Sequence, residues 1–226
     1  MRRSFLLALL LFILAVTLGM RSGASGEQGE PYVIYIDIES KTLYLWQGDD
    51  LVKRYTIASG AWDTPTPIGV FRINSRFQSE MGGFGTCFLG LNVPWGSYGI
   101  HGTNKPESIG ANASHGCIRM RVQDAEELYA LVPNGTKVVM ECGPYGELGV
   151  SLRPLKNGDR SSMVRAVQRK LRALGYYYGW PDGVWGDATE QAVAKARKAL
   201  NLPEGQVDWA FYQAIGLTLF ESEERR

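Results

Sequence analysis

Two rhythms of hydrophobic residues divide the chain. In the first half apolar positions recur every second residue. The run Tyr32-Val33-Ile34-Tyr35-Ile36-Asp37-Ile38 is followed by Thr42-Leu43-Tyr44-Leu45-Trp46. After the polar turn Gln47-Gly48-Asp49-Asp50 comes Leu51-Val52-Lys53-Arg54-Tyr55-Thr56-Ile57. Short β-branched and aromatic runs divided by a Gly-Asp turn predict a hairpin, with Trp46 and the tyrosines as cross-strand packing. Val70-Phe71-Arg72-Ile73 predicts a further strand, and Thr136-Lys137-Val138-Val139-Met140 a closing one. Thr64-Pro65-Thr66-Pro67 fixes two backbone angles and removes two donors, which predicts a stiff, exposed connector. One helix is expected in this half. Val122, Ala125, Leu128, Leu131 and Val132 recur at helical spacing, Asp124, Glu126 and Glu127 suit its positive end, and Asn134-Gly135 ends it.

Beyond the Gly- and Pro-rich stretch 143–154 the period changes to that of a helix. Met163-Val164, Val167-Gln168, Leu171 and Leu174 form one stripe closed by Gly175. A second helix is expected from Thr189 to Leu200 and a short third through Ile215. The fold class expected is therefore multidomain: a mainly β domain over 31–142, a linker over 143–154, a small three-helix α domain over 155–218 and a charged tail over 219–226. The loop between the first two helices holds Tyr176, Tyr177, Tyr178, Trp180 and Trp185. These rings can stack on sugars, with Tyr177, Trp180 and Trp185 the candidates. Alternatively, two or three of the five are core in a bundle with little else to bury.

Residues 1–26 carry a third pattern: Arg2 and Arg3, then an almost unbroken apolar run from Phe5 to Leu18, then Ser22-Gly23-Ala24-Ser25-Gly26. The run is short for a bilayer span of ~20 residues. A secretory signal cleaved after Ala24 is expected, with an uncleaved anchor as its rival. Either places the body of the protein outside the cytoplasmic membrane.

The length of 226 residues, with 45% of them hydrophobic, leaves room for more than one core. A formal net charge of +1 argues against a nucleic-acid binder and says nothing else about the substrate.

Chemistry concentrates in seventeen residues, His101 to Cys117, reading HGTNKPESIGANASHGC, which hold both histidines of the chain. A thiol is a strong nucleophile only as thiolate, and an imidazole can take its proton and hold the pair as thiolate and imidazolium. His115 is too close in sequence for its ring to need to face the sulfur across a tight turn. His101 must be delivered by the fold, as catalytic pairs usually are. We therefore read Cys117 as nucleophile and His101 as general base. Gly116 leaves room for a substrate backbone, the Cys117 N–H suits an oxyanion hole, and His115 either adds a donor or orients the loop. A zinc site built from His101, His115 and Cys117 is a competing reading, although the i, i+2 pair is awkward for one tetrahedral ion and no CxxC or HExxH occurs. Cys87 and Cys142 either pair as a disulfide, as export permits, or stay as buried thiols. The Gly-rich piece from Met81 to Gly102 is either a flap over the thiol or an ordinary pair of strands with a loop. Trp95 and Tyr98 are candidates to line the cleft. Arg119 either grips a substrate carboxylate or holds the loop to the body.

His101-Gly102, a gap, and then Ser114-His115-Gly116-Cys117-Ile118-Arg119-Met120 resembles the signature of the L,D-transpeptidase family, the YkuD domain. Thr64-Pro65-Thr66-Pro67-Ile68-Gly69 and Tyr98-Gly99-Ile100-His101-Gly102-Thr103 are in the same style, and the resemblance covers roughly 31–142. It implies a YkuD-like β-sandwich with a short helix, the catalytic cysteine at Cys117, the base at His101, flanking roles for His115 and Ser114, and a backbone carbonyl at Gly102 orienting the base. It further implies no metal or cofactor. The C-terminal half resembles peptidoglycan-binding domains of the PG_binding_1 type in Val167-Gln168, Leu171, Leu174-Gly175-Tyr176, Asp182-Gly183, Trp185-Gly186 and Thr189. It departs from them at Ala194-Lys195-Ala196-Arg197-Lys198, where Phe-Gln is usual. The expected partners are peptidoglycan stem peptides and glycan. The expected reaction is attack of the thiolate on the third-residue carbonyl of a stem tetrapeptide, loss of D-Ala, and aminolysis to a 3→3 cross-link. Hydrolysis of the same thioester, or exchange with another amine, is the enzymatic alternative. A wall-adhesion module with an inert first domain is the non-enzymatic one.

Overall fold

The computed structural model describes residues 29–142 and 152–217. The expected targeting segment, most of the expected linker and the charged tail lie outside the described residues.

The alternating runs form strands where the pattern places them: β1 (Tyr32–Asp37), β2 (Thr42–Gln47) and β3 (Asp50–Thr56). They make an antiparallel meander whose inward side chains Ile34, Ile36, Leu43 and Leu45 are wholly buried. After the two-residue β4 (Ser59–Gly60) comes β5 (Gly69–Gly82), then β6 (Gly85–Leu91), β7 (Tyr98–Gly102), β8 (Asn112–Ser114), β9 (Ile118–Met120) and β10 (Lys137–Glu141). The main sheet runs β3-β2-β1-β10-β5-β6-β7-β9, and β4 pairs with β8 apart from it.

The turning point is β5, fourteen residues long where the hydrophobic pattern predicts four. Its first residues pair with β10 and the remainder with β6, with an irregularity between Ile73 and Ser75. Such a bulge bends and twists a strand, so β5 serves both halves of the sheet, and a single core collects side chains from both. The helix α1 (Val122–Leu131) packs on β6 and β7 through buried Ala125 and Leu128. The outer reach of β5 was invisible to the pattern because Asn74, Ser75, Gln78, Ser79 and Glu80 are exposed polar residues that break the apolar alternation.

The C-terminal unit is three helices: α2 (Ser162–Ala173), α3 (Asp187–Ala199) and α4 (Trp209–Ala214). Ser161 caps α2 by accepting from the Val164 N–H at 3.2 Å, and Asp208 caps α4 by accepting from Phe211 N–H at 2.9 Å. Leu171, Trp185, Ala196, Phe211 and Tyr212 fill a second core. Gln168, with no exposure, ties the aromatic loop to it. Its carboxamide oxygen accepts from Gly183 N–H at 2.8 Å, and its NH₂ lies within reach of the Asp182 carboxylate, the Val184 carbonyl and Thr189.

The helical unit is docked on the sheet. Ile68 donates its N–H to Ser162 Oγ at 2.7 Å and its carbonyl accepts from Arg165 at 3.1 Å. The same guanidinium lies 4.8 Å above the Trp95 ring and 5.3 Å above that of Phe71. Trp95 is therefore not a cleft residue. It is 3% exposed, stands edge-on to Phe71, and leaves space beside it that only a glycine, Gly183, fills.

Candidate active site

Strand pairing brings the two ends of the seventeen-residue stretch together. Strands β7 and β9 run parallel, with Ile100 opposite Ile118 and His101 opposite Arg119. Side chains alternate across a sheet. Ile100 and Ile118 point into the core, each 1% exposed, so His101 and Arg119 share the other face. Cys117, two residues before Arg119, falls on that face too. The thiol takes a contact from the Gly99 N–H, and Arg119 acts electrostatically on both the thiol and the imidazole.

His101 is 3% exposed, and its Nδ1 hydrogen-bonds to the Gly102 carbonyl. A carbonyl can only accept, so Nδ1 carries the proton and Nε2 keeps its lone pair. That is the tautomer a general base needs. Burial pushes the His101 imidazole below its usual range. The Gly102 bond opposes this shift and the Arg119 charge adds to it. Burial pushes the Cys117 thiol up, against smaller downward pulls from the Gly99 N–H and from Arg119. Both shifts favour the neutral forms over the thiolate–imidazolium pair read from the sequence.

The Cys117 turn is braced from below. Ser114, 2% exposed, donates its hydroxyl to the Cys117 carbonyl at 2.6 Å and accepts from Gly116 N–H at 3.0 Å. The Gly116 N–H is thereby turned inward, so this residue supplies space and the Cys117 N–H remains the candidate oxyanion donor. His115 is exposed on the turn. Tyr98 lies against Gly116, and burial together with the Cys117 charge raises its phenol. The Arg119 guanidinium donates to the Ala113 carbonyl at 3.0 Å, and its backbone exchanges hydrogen bonds with Ala58. Loop anchorage is the contact it makes.

The connector Thr64–Pro67 is the largest correction in this region. Thr66, Pro67 and Ile68 are buried rather than exposed. Thr64 Oγ1 donates to the Ser114 carbonyl at 3.0 Å, Ala61 N–H donates to the same carbonyl at 2.8 Å, and Thr66 Oγ1 accepts from Gly60 N–H at 2.8 Å. The prolines stiffen a strut beneath the nucleophile turn. Gly116 has φ +107, and a Cβ there would sit 2.6 Å from the Tyr98 ring and 3.3 Å from the Pro65 carbonyl. Gly116→Ala is expected to leave the fold intact while lowering the rate of thiol acylation at least ~10-fold through misplacement of the sulfur, read by rapid-quench mass spectrometry.

The Gly-rich piece from Met81 to Gly102 is, of its two readings, the pair of strands with a loop: the tip of the β5–β6 arm, then β6 and β7. Its tip folds onto the base, with Gly85 packed on the backbone of Gly102. Cys87 and Cys142 are free and buried. Among the described residues no three His, Cys, Asp or Glu side chains converge as metal ligands, and no helix is long and apolar enough to cross a membrane.

Of the aromatic candidates in the helical unit, two are structural. Trp185 is 2% exposed, and its indole N–H donates to Glu190 at 2.5 Å. Tyr177 is 6% exposed, its hydroxyl within 3.4 Å of Gln168 and 3.2 Å of the Trp180 carbonyl. Both are core, because a three-helix unit needs large rings to fill its centre. Trp180 is 75% exposed and Tyr178 85% exposed, so these two rings face solvent.

A mainly β domain with a cysteine turn beside a buried imidazole, followed by a compact helical unit, is the class that this fold and site define. A protein-family model of the L,D-transpeptidase catalytic domain (YkuD) matches residues 31–140, and one described as "Putative peptidoglycan binding domain" matches residues 160–215. The curated "Putative L,D-transpeptidase YkuD" of Bacillus licheniformis is 48% identical over 108 residues, covering 48% of this chain and 64% of that protein. "Putative L,D-transpeptidase YqjB" of Bacillus subtilis is 31% identical over 127 residues, covering 50% of this chain and 72% of that protein. The solution structure of the catalytic domain of an Enterococcus faecium L,D-transpeptidase aligns with 50% of this chain and 98% of its own, at 26% identity and a TM-score of 0.42. The chain belongs to the L,D-transpeptidase family.

Proposed function

We propose that the chain is a peptidoglycan L,D-transpeptidase that works outside the cytoplasmic membrane and forms 3→3 cross-links through an acyl-enzyme on Cys117. The observation that carries this reading is the tautomer of His101: the Gly102 carbonyl holds the Nδ1 proton, which leaves Nε2 as the base on the face shared with the Cys117 turn.

In the proposed reaction the third-residue carbonyl of a stem tetrapeptide settles over the turn, against the Cys117 N–H. As Sγ attacks, its proton passes to His101 Nε2, and the carbonyl oxygen takes the developing negative charge. The tetrahedral intermediate collapses, the C–N bond to D-Ala breaks, and the imidazolium returns its proton to the departing amine. A thioester remains. A side-chain amine of a neighbouring stem then loses its proton to His101 and attacks the thioester, which forms the new amide and frees the thiol. Protons balance at each half-reaction, and the chemistry asks for no further group. The helical unit, with exposed Trp180 as its sugar-facing ring, would hold the enzyme on its polymer.

Incubation with defined disaccharide-tetrapeptides followed by mass analysis tests this. Dimers lacking one D-Ala are expected. Trimmed tripeptides alone would make the protein an L,D-carboxypeptidase, and unchanged substrate would make it a wall-adhesion module.

A further inference from the structure

Two phenylalanines of the β5–β6 arm, Phe84 and Phe88, meet the candidate base and a third, Phe77, stacks behind Phe88, and no part of the reaction above uses them. Phe77 pairs with Phe88 across β5 and β6, Phe88 with His101 across β6 and β7, and His101 with Arg119 across β7 and β9. Paired residues on adjacent strands share a face, so these four form one row across four strands. The rings in the row are stacked. Phe77 and Phe88 lie 5.1 Å apart at 14°, and Phe88 and the imidazole 5.7 Å apart at 13°. Phe84, at the tip of the arm, closes the row edge-on, with its centroid 5.0 Å from the imidazole at 89° and 5.3 Å from Phe88 at 75°. A residue without a side chain makes the stacking possible, since a Cβ on Gly99 would lie 2.3 Å from the Phe88 ring.

We propose that Phe88 and Phe84 are positioning residues for His101: the stacked ring fixes the plane of the imidazole and the edge-on ring shuts water from it. The inference rests on the reading of His101 as base, but its geometry is independent of any substrate. With the plane held by Phe88, the ring rotation that would carry Nδ1 away from the Gly102 carbonyl is blocked, so the lone pair of Nε2 stays on the cysteine side. With Phe84 in place, an imidazolium would lose its hydration without gaining a carboxylate. The charged group acting on the ring is Arg119 from β9, which also disfavours protonation. The base is thereby kept unprotonated until the sulfur attacks. The arm tip is half exposed, Phe84 at 51% and Phe77 at 46%, so the rings can be exchanged with little core behind them.

The test uses the full chain. Because the protein has only two histidines, the ring resonances can be assigned by comparison with His115→Gln and followed by NMR as pH is varied. In the parent protein one histidine is expected to titrate below 6.5, the ordinary value for the side chain. Phe84→Ala should move that midpoint upward, toward 6.5. The acid limb of Cys117 acylation by a carbapenem should move up with it, and Phe84→Tyr should restore both. Phe88→Leu, which keeps bulk but not a plane, should slow acylation on the plateau several-fold without loss of the folded spectrum. An unchanged His101 midpoint in Phe84→Ala would overturn the inference, whatever the activity. A shifted midpoint in a protein that forms no acyl-enzyme would instead leave the positioning role standing and remove the transpeptidase reading.

Discussion

Cys117→Ala is expected to abolish acyl-enzyme formation outright. A carbapenem should add one equivalent of mass to the parent protein and none to the variant, with folding unchanged because the position is a half-buried turn. No other thiol can substitute. Cys87 and Cys142 are buried, whereas Cys117 is only half-buried and within reach of a substrate. His101→Gln should keep the thiol but lose its base, and the acylation rate should fall by ~10²–10⁴-fold. Intact-protein mass spectrometry over a time course reads both variants. An adduct on any residue of Cys117→Ala would end the acyl-enzyme account.

Trp185→Ala should be the most destabilising of the aromatic substitutions in the helical unit. Removal of a wholly packed indole costs ~3–5 kcal/mol, and here it also removes the hydrogen bond from the indole N–H to Glu190. A unit of this size has little stability to spare, so the variant should lose the helical signal of its C-terminal half well below the parent's melting temperature. Trp180→Ala should melt with the parent but sediment less with insoluble wall material. Reversal of the two outcomes would mean that the buried ring, rather than the exposed one, meets the polymer.

Those two tryptophans show where sequence reading stops. Period and turn chemistry place the first three strands, α1 and the stripes of α2 and α3, because in each case the local pattern and the buried face agree. They place Tyr177, Trp180 and Trp185 in one cluster but cannot say which rings turn inward, since ring direction depends on a core that closes only when α3 and α4 arrive. Trp95 was misplaced for the same reason: its partners are Phe71, Arg165 and Gly183, the last two from another domain. The reading of His101 with Cys117 came from both histidines lying in one short stretch, and the pairing of β7 with β9 brings the two ends of that stretch together. The Thr64–Pro67 strut and the aromatic row were not, as strut and row are made of long-range register. Gly99 and Gly116 carry the trace of it, each a glycine where a neighbouring ring needs the room.

The seam at Ile68 has a mechanical meaning. Ser162 and Arg165 grip the backbone at the far end of the segment whose near end supports Ser114 and Gly116. If the helical unit holds wall material as proposed, the two hydrogen bonds at Ile68 shorten the path from that hold to the sulfur, and the local concentration of acceptor strands there would follow more from the spacing of the mesh than from tether statistics.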